Sequence, residues 1–279
     1  MAQSASTTSP ATLLIKEHDD GIFIARMNRP ERMNAMGGGL REALEDAWFE
    51  FRDDSQLKVM IITGVGNRAF CAGADLREND KKARELGAQS AQALIDARRS
   101  GVIAPSFTAN NFHLYKPVIA AINGWCLAGG CEMALGCDMR IIERHAKMGL
   151  PEVKRGMGAK ATTHKLHFLA HLASGLEIVW TGDPITAERA VELGLANEVV
   201  ETGQSMARAV EIARDMCRRP MSYLQYHKER VFQSVGVPLA QALAMEQRFP
   251  PHLGEAYRRG LQASLTSKLP GWPGHQRTL

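Results

Sequence analysis

The sequence predicts a mainly parallel α/β fold that is followed by helices. Two apolar segments typical of buried strands, residues 59–63 and 118–122, each lead into a loop rich in glycine and small residues. From position 59 onward such strand-like segments alternate with helix-compatible ones, which favours parallel strands joined by crossover helices. After about residue 203 long helical patterns dominate. A chain of 279 residues is long enough to bury a full core in one large domain or in a domain with an appendage.

The elements before position 59 complete this sheet. Residues 13–17 and 21–27 read as two strands that pair across the turn Asp19-Asp20-Gly21. Residues 40–51 predict an amphipathic helix with a single apolar face. That face consists of Leu40, Leu44, Ala47, Trp48 and Phe51.

The chain divides into three predicted regions. Residues 1–12, rich in Ser and Thr, predict a disordered tail. Residues 13–202 form the α/β core, and residues 203–279 form a helical C-terminal region, with helices expected over 206–217, 222–235 and 239–249. In the last two of these helices apolar residues recur at roughly helical spacing. Their apolar faces are larger than one small domain could cover, so we expect this region to mediate oligomerisation. These apolar residues are Val231, Phe232, Val235, Leu239, Leu243 and Phe249.

Charge and cysteine content limit the class of protein. Subtracting 30 acidic from 34 basic residues gives a net charge of +4, so a nucleic-acid partner is not expected, although a polyanionic ligand is permitted. The five cysteines are odd in number and lack zinc-ligand spacing, which favours reduced thiols in a cytoplasm. The first ten residues resemble neither a secretion signal nor a transit peptide, and no apolar run approaches the roughly 20 residues that span a bilayer. We expect a soluble cytoplasmic protein.

The apolar residues 118–122 predict a strand, and the segment from Asn123 to Asp138 that follows them predicts a tight turn and the start of a helix, with Glu132 in its first turn. Backbone N–H groups at a helix start lack intrahelical acceptors and carry partial positive charge. Glycine there allows a ligand oxygen to approach the backbone closely. Such a site can stabilise an oxyanion while a carboxylate moves protons beside it. The alternative is a glycine-rich turn before a helix with an acidic first turn.

Two further segments point to the same chemistry. Residues 69–76 follow the strand at 59–63, so two similar loops could each offer one N–H to the same oxygen. Pro151 fixes the backbone just ahead of Glu152, a second carboxylate 20 residues after Glu132. The sequence therefore predicts an oxyanion site with two carboxylates.

These motifs, in this order, resemble the crotonase family of enoyl-CoA hydratases and isomerases. They are residues 28–31 with Asn34-Ala35, residues 69–76, 116–124 and 128–132, Pro151-Glu152, and Thr181-Gly182 with residues 187–200. The resemblance extends from about Leu13 to Trp272. It implies a spiral of ββα units whose C-terminal helices pack in a homotrimer or a dimer of trimers. Periodicity alone leaves that spiral and a doubly wound sheet both open.

The resemblance also assigns roles to individual residues. It implies that the backbone N–H groups of Ala74 and Gly129 form an oxyanion hole for a thioester enolate. Glu132 would activate a water molecule, and Glu152 would help to bind that water and deliver the α-proton. Two carboxylates can divide these roles because close like charges separate their pKa values. The presence of both carboxylates favours hydration of a 2-trans-enoyl-CoA.

The contacts to CoA are carried over in the same way. The backbone of residues 72–76, including Ala72, Asp75 and Leu76, would contact the nucleotide and pantetheine. Arg29 or Arg32 lies near the matching phosphate-binding loop, and Lys268 resembles a lysine that reaches the CoA of a neighbouring subunit. For these cations an ordinary surface charge is the alternative. The implied reaction requires no metal or redox cofactor, since CoA is part of the substrate.

Other readings stay open. An isomerase or a C–C bond hydrolase would use the same oxyanion hole, and a non-catalytic CoA- or RNA-binding protein is the alternative from another class. Residues 77–115 and 156–164 depart from the family pattern at the acyl end. A specialised acyl group, longer, branched or cyclic, is therefore expected.

Overall fold

Two sheets organise the part of the chain that the computed structural model describes, which is residues 12–85, 114–159, 166, 168–246 and 253–265. Among these residues one sheet has six strands in the order β1-β2-β3-β5-β7-β10, and the other has four in the order β4-β6-β8-β9. The strands are β1 (Leu14–Asp19), β2 (Ile22–Met27), β3 (Val59–Gly64), β4 (Ala69–Cys71), β5 (Val118–Ile122), β6 (Trp125–Leu127), β7 (Met139–Glu143), β8 (Lys147–Gly149), β9 (Ile185–Thr186) and β10 (Glu198–Val200).

Helices cover and follow the sheets. They are α1 (Leu40–Asp53), α2 (Leu76–Glu85), α3 (Gly129–Gly136), α4 (Leu172–Thr181), α5 (Ala187–Glu192), α6 (Ser205–Cys217), α7 (Met221–Ser234), α8 (Leu239–Glu246) and α9 (Gly254–Leu265). No helix in the described ranges combines the length and the apolar character that a membrane crossing requires.

The large sheet confirms the predicted parallel α/β core. β1 and β2 pair antiparallel, whereas the neighbours from β2 to β10 pair in parallel. All six residues of β3 and all five of β5 are buried, as expected for parallel strands covered on both faces. The predicted turn between β1 and β2 is also present, with φ of 43° at Asp20 and 84° at Gly21.

The small sheet contains strands that the sequence did not predict. The sequence predicted only a turn between β5 and helix α3. The structure has a second strand there, β6, which lies between Asn123 and α3. β4 lies in the same way at the start of the loop 69–76. Both strands have only three residues, too few to show a period of two. Strands β3, β5 and β7 lie in the large sheet, and their successors β4, β6 and β8 lie in the small one.

Helices α1 and α6 pack in two separate apolar cores. The five residues of the predicted α1 face are all buried, which confirms that prediction. Helix α6 buries Ala209 and Ala213 in a cluster with Ile24, Ile61 and Ile119 of the large sheet. The first helix after residue 203 therefore packs on the α/β core, and the domain boundary at 203 stays a prediction.

The later helices are less covered. Lys228 on α7 anchors this helix, since its Nζ donates to Asp138 Oδ2 at 2.7 Å and to the Lys116 carbonyl at 2.9 Å. Apolar side chains beyond it are solvent-exposed in the single chain: Val231, Val235, Leu239 and Leu243. Phe249, the last member of the predicted face, lies outside the described residues.

Two buried asparagines hold the loops at the ends of β3 and β5. Asn123 Nδ2 donates to the carbonyl oxygens of Gly64 at 2.7 Å and Gly66 at 2.6 Å. Asn34 Nδ2 donates to the Ala69 carbonyl at 2.8 Å. Both residues belong to the motifs that carry the family resemblance. Their side chains satisfy the buried carbonyl groups of Gly64 and Ala69, which short irregular loops would otherwise leave without these donors.

We expect Asn123→Ala to lower the free energy of unfolding by about 1–3 kcal/mol, because it leaves the buried Gly64 carbonyl without the Asn123 donor. Urea unfolding followed by circular dichroism measures this change. The matched control is Asn67→Ala, at an exposed position, which should stay within about 0.5 kcal/mol of the wild type. Equal effects of the two substitutions would contradict the role assigned to Asn123.

Candidate active site

The loop after β4 presents the N–H of Ala74. Met36 pairs with this residue in an isolated parallel bridge. The Met36 N–H donates to the Gly73 carbonyl at 2.7 Å, and the Asp75 N–H donates to the Met36 carbonyl at 3.3 Å. In such a pairing the two bonds flank the central residue, whose own N–H points to the opposite side. The Ala74 N–H is therefore directed away from Met36.

The N–H of Gly129 lies at the start of α3. Ala128, just before it, has φ 51° and ψ −129°, a conformation that a residue with a Cβ rarely adopts. The Ala128 N–H donates to the Gly149 carbonyl at 3.0 Å, and its carbonyl accepts the Glu132 N–H at 2.9 Å. The reversal at Ala128 turns the chain from β6 into the helix, and Gly129 becomes one of the first-turn donors without an intrahelical acceptor.

The two amide groups lie close together. A Cβ placed on Gly73 would be 3.0 Å from the Gly129 nitrogen, and a Cβ placed on Gly129 would be 3.9 Å from the Ala74 nitrogen. The parallel pairing of β4 with β6, which aligns Cys71 with Cys126, brings the two loops to this spacing. The structure thus brings together the two residues that the sequence proposed as donors.

Neighbouring strands of the small sheet place the two carboxylates. Glu132 lies in the first turn of α3 after β6, and Glu152 lies in the 3₁₀ helix Pro151–Arg155 after β8. β6 and β8 pair in parallel, so the elements that follow them begin at the same edge of the sheet. Residues 20 positions apart in the sequence are thereby brought to one site.

The charge of Glu132 acts on Glu152, as expected for two carboxylates that lie near each other. Burial raises the pKa of Glu152 above its ordinary value; its own backbone N–H opposes this, and the nearby charge of Glu132 raises the pKa further. Glu132 is 7% exposed. Within the described residues, Glu152 Oε2 is buried and has no hydrogen-bond partner. A buried carboxylate oxygen without a partner is a place for a water molecule or a ligand hydroxyl group.

Asp75, predicted to contact CoA, has its carboxylate in an ion-pair cluster. Arg29 Nη2 lies 3.3 Å and Arg32 Nη2 3.1 Å from its oxygens. Burial by itself would raise the pKa of Asp75, but the hydrogen bond and charge of Arg32, with the bond from Arg29, lower it overall. The Asp75 side chain therefore joins the loop of residues 72–76 to the segment around Arg29. The Arg32 side chain keeps 34% of its surface exposed.

The other predicted CoA contacts differ in accessibility. Ala72 is half-buried, and its N–H donates to the Met33 carbonyl at 3.0 Å. Leu76 is 40% exposed. Lys268 and most of the segments 77–115 and 156–164, which the sequence assigned to the acyl end, lie outside the described residues.

Arg140, which no sequence motif indicated, holds the far end of α3. Its guanidinium donates to the carbonyl oxygens of Cys137 at 2.6 Å, Ala134 at 3.3 Å and Leu195 at 2.7 Å. A cation at a helix C-terminus is favourable because the last carbonyls carry partial negative charge. The only sequence signal is an arginine inside an otherwise apolar strand.

Comparison with known proteins agrees with this geometry. The chain matches the family described as enoyl-CoA hydratase/isomerase over residues 17–274. It is 31% identical to the short-chain-enoyl-CoA hydratase of Clostridium acetobutylicum, over 84% of this chain and 86% of that protein. It is 33% identical to the mevalonyl-coenzyme A hydratase of Aspergillus fumigatus, over 90% and 91%.

A solved structure is similar over almost the whole chain. The crystal structure of enoyl-CoA hydratase from Mycobacterium tuberculosis H37Rv superposes with a TM-score of 0.81 and 30% identity, covering 94% of this chain and 99% of that one. The family match, the two curated relatives and the shared architecture agree. This chain belongs to the enoyl-CoA hydratase/isomerase family.

Proposed function

We propose that the protein is an enoyl-CoA hydratase, a hydro-lyase that reversibly adds water to a 2-trans-enoyl-CoA. The observation that carries this proposal is the placement of Glu132 and Glu152 after the paired strands β6 and β8, beside the closely spaced N–H groups of Ala74 and Gly129. Relatives with 31–33% identity are named as hydratases of several enoyl-CoA thioesters.

In the proposed mechanism the thioester oxygen accepts hydrogen bonds from Ala74 and Gly129. Addition at the β-carbon moves negative charge onto this oxygen, so both donors bind the enolate more strongly than the substrate. Loss of one such donor typically costs about 3–4 kcal/mol of activation free energy. Because both donors are backbone groups held by the fold, they need no reorganisation when the charge develops.

The two carboxylates divide the proton transfers. Glu132 takes a proton from the attacking water, and Glu152 delivers a proton to the α-carbon. The raised pKa of Glu152 suits the acid, because a carboxyl group that holds its proton at higher pH is more often protonated at the working pH. The buried Oε2 of Glu152 would accept a hydrogen bond from the same water.

CoA would lie along the loop of residues 72–76. The backbone of this loop and the exposed Leu76 would contact the pantetheine, and Arg32 would approach a phosphate with the exposed part of its side chain. Lys268 would contribute from a neighbouring subunit. No metal or redox cofactor is needed for this chemistry. A cytoplasmic location stays a prediction.

We also propose that the protein is a homotrimer or a dimer of trimers. Val231, Val235, Leu239 and Leu243 are exposed in the single chain, and apolar side chains in such a row are commonly covered by a partner. Light scattering at micromolar concentration is expected to give three or six times the 30.6 kDa chain mass. Leu243→Asp should reduce this mass without unfolding the chain. A 30.6 kDa particle for the wild type would contradict the proposal.

The activity test uses a panel of enoyl-CoA thioesters analysed by mass spectrometry. A 3-hydroxyacyl-CoA product supports hydration, whereas a moved double bond or a cleaved chain identifies the isomerase or the hydrolase, and no product supports a binding protein. Glu132→Gln and Glu152→Gln should each lower kcat by at least about 10²-fold, because each removes a proton-transfer group. Asp46→Asn, at an exposed position on α1, is the control. A variant with near wild-type kcat would remove that glutamate from the mechanism.

Glu152 should reduce stability at neutral pH. Since its folded pKa lies above the ordinary 4.5, the unfolded chain releases this proton first, and the free energy of unfolding falls as pH rises through that interval. We therefore expect Glu152→Gln to be more stable than the wild type at about pH 7, and this difference to shrink as the pH falls through that interval, so that it is lost below about pH 4. Urea unfolding at several pH values measures it, with Asp46→Asn as control. A Glu152→Gln variant less stable at neutral pH would contradict the assigned environment.

A further inference from the structure

We infer that Met36 is a positioning residue that sets the separation between the Ala74 and Gly129 N–H groups. Its backbone is bonded to the loop that carries Ala74, through the Gly73 carbonyl at 2.7 Å and the Asp75 N–H at 3.3 Å. Its side chain is 6% exposed and lies against Gly129. One residue therefore contacts both halves of the proposed oxyanion hole, by hydrogen bonds on one side and by packing on the other.

The packing contact is close. A Cβ built on Gly129 would lie 2.8 Å from Met36 Cε, so the terminal methyl group occupies the space above the Gly129 Cα. Methionine suits this position because an unbranched thioether fills an irregular gap between two backbone segments. Removal of the side chain would leave the Ala74 loop attached to a segment that no longer rests on Gly129.

The Met36 methyl group is also the first atom that a side chain at position 129 would meet. The other neighbours of a Cβ there would be Gly73 Cα at 3.7 Å and the Ala74 nitrogen at 3.9 Å, which are ordinary contact distances. Only the Met36 methyl group would have to move. A methyl group at position 129 should therefore act on the site by displacing Met36.

The inference rests on the proposed hydratase function, and its test separates the two. The first measurement compares the wild type with Met36→Ala, Met36→Leu and the control Met60→Ala, which removes a buried thioether from the same core cluster. Because misplacement of a catalytic group by about 1 Å can cost 10²-fold, we expect Met36→Ala to lower kcat by at least about tenfold. KM should change by less than about twofold, and Met36→Leu should recover most of the loss.

The second measurement does not require turnover. Infrared spectra of a bound enoyl-CoA labelled with ¹³C at the thioester carbonyl report how strongly the two N–H groups polarise that bond. Met36→Ala should move the carbonyl band toward its position in solution, whereas Met36→Leu and Met60→Ala should leave the band at the wild-type position. A wild type that polarises the carbonyl but hydrates no thioester would overturn the proposed function, and a shifted band in Met36→Ala would then still support the inference.

A double-mutant cycle gives the sharpest test. Gly129→Ala should lower kcat by itself, and Gly129→Ala with Met36→Ala should lose less than the product of the two single effects, because the new methyl group enters the space that Met36 leaves. If Met36→Ala does not fold, the Gly129→Ala and Met36→Leu pair provides the cycle. The inference would be overturned if the effects of the two substitutions on kcat simply multiplied. It would also be overturned if folded Met36→Ala kept the carbonyl band and the kcat of the wild type.

Discussion

Close backbone packing between the loop after β4 and the start of α3 is the constraint on which the site depends. Gly73 and Gly130 show how little room there is: a Cβ on Gly73 would lie 2.8 Å from the Ala128 Cβ, and a Cβ on Gly130 would lie 2.2 Å from the Cys71 carbonyl oxygen. Side chains would separate the two loops, so glycines occupy the contact. The short strands β4 and β6 lie next to this contact, and their parallel pairing keeps the two loops adjacent.

The buried charges fall into two groups. Asp75 and Arg140 hold the scaffold, and each is matched by several partners: two arginines for the first and three backbone carbonyls for the second. Glu152 is half-buried and less fully matched: its Oε2 has no hydrogen-bond partner in the described part of the chain, which is also true of Glu143 Oε2, and the pKa of Glu152 is raised. A buried oxygen without a hydrogen-bond partner and a raised pKa both oppose folding, and such features are expected where a protein acts on a ligand.

The sequence predicted those features that depend on local pattern. The buried face of α1 and the buried strands β3 and β5 follow directly from periodicity and apolar content. The short strands β4 and β6 could not be predicted in this way, because three residues carry no periodic signal and the pairing of these strands is set by distant segments. The ion pair of Arg32 with Asp75 spans 43 positions, and the contact of Met36 with Gly129 spans more. No local pattern reveals such contacts, although the order of the motifs identified the residues proposed for chemistry.

The backbone at Ala128 has a consequence for how the site responds to its ligand. A φ of 51° at a residue with a Cβ costs about 1–3 kcal/mol, and it persists only because the surrounding structure imposes it. Folding therefore supplies this free energy. The fold itself holds the peptide group between Ala128 and Gly129 in one orientation, so an anion bound at the proposed site would meet a dipole that is already fixed, whereas water molecules would first have to reorient.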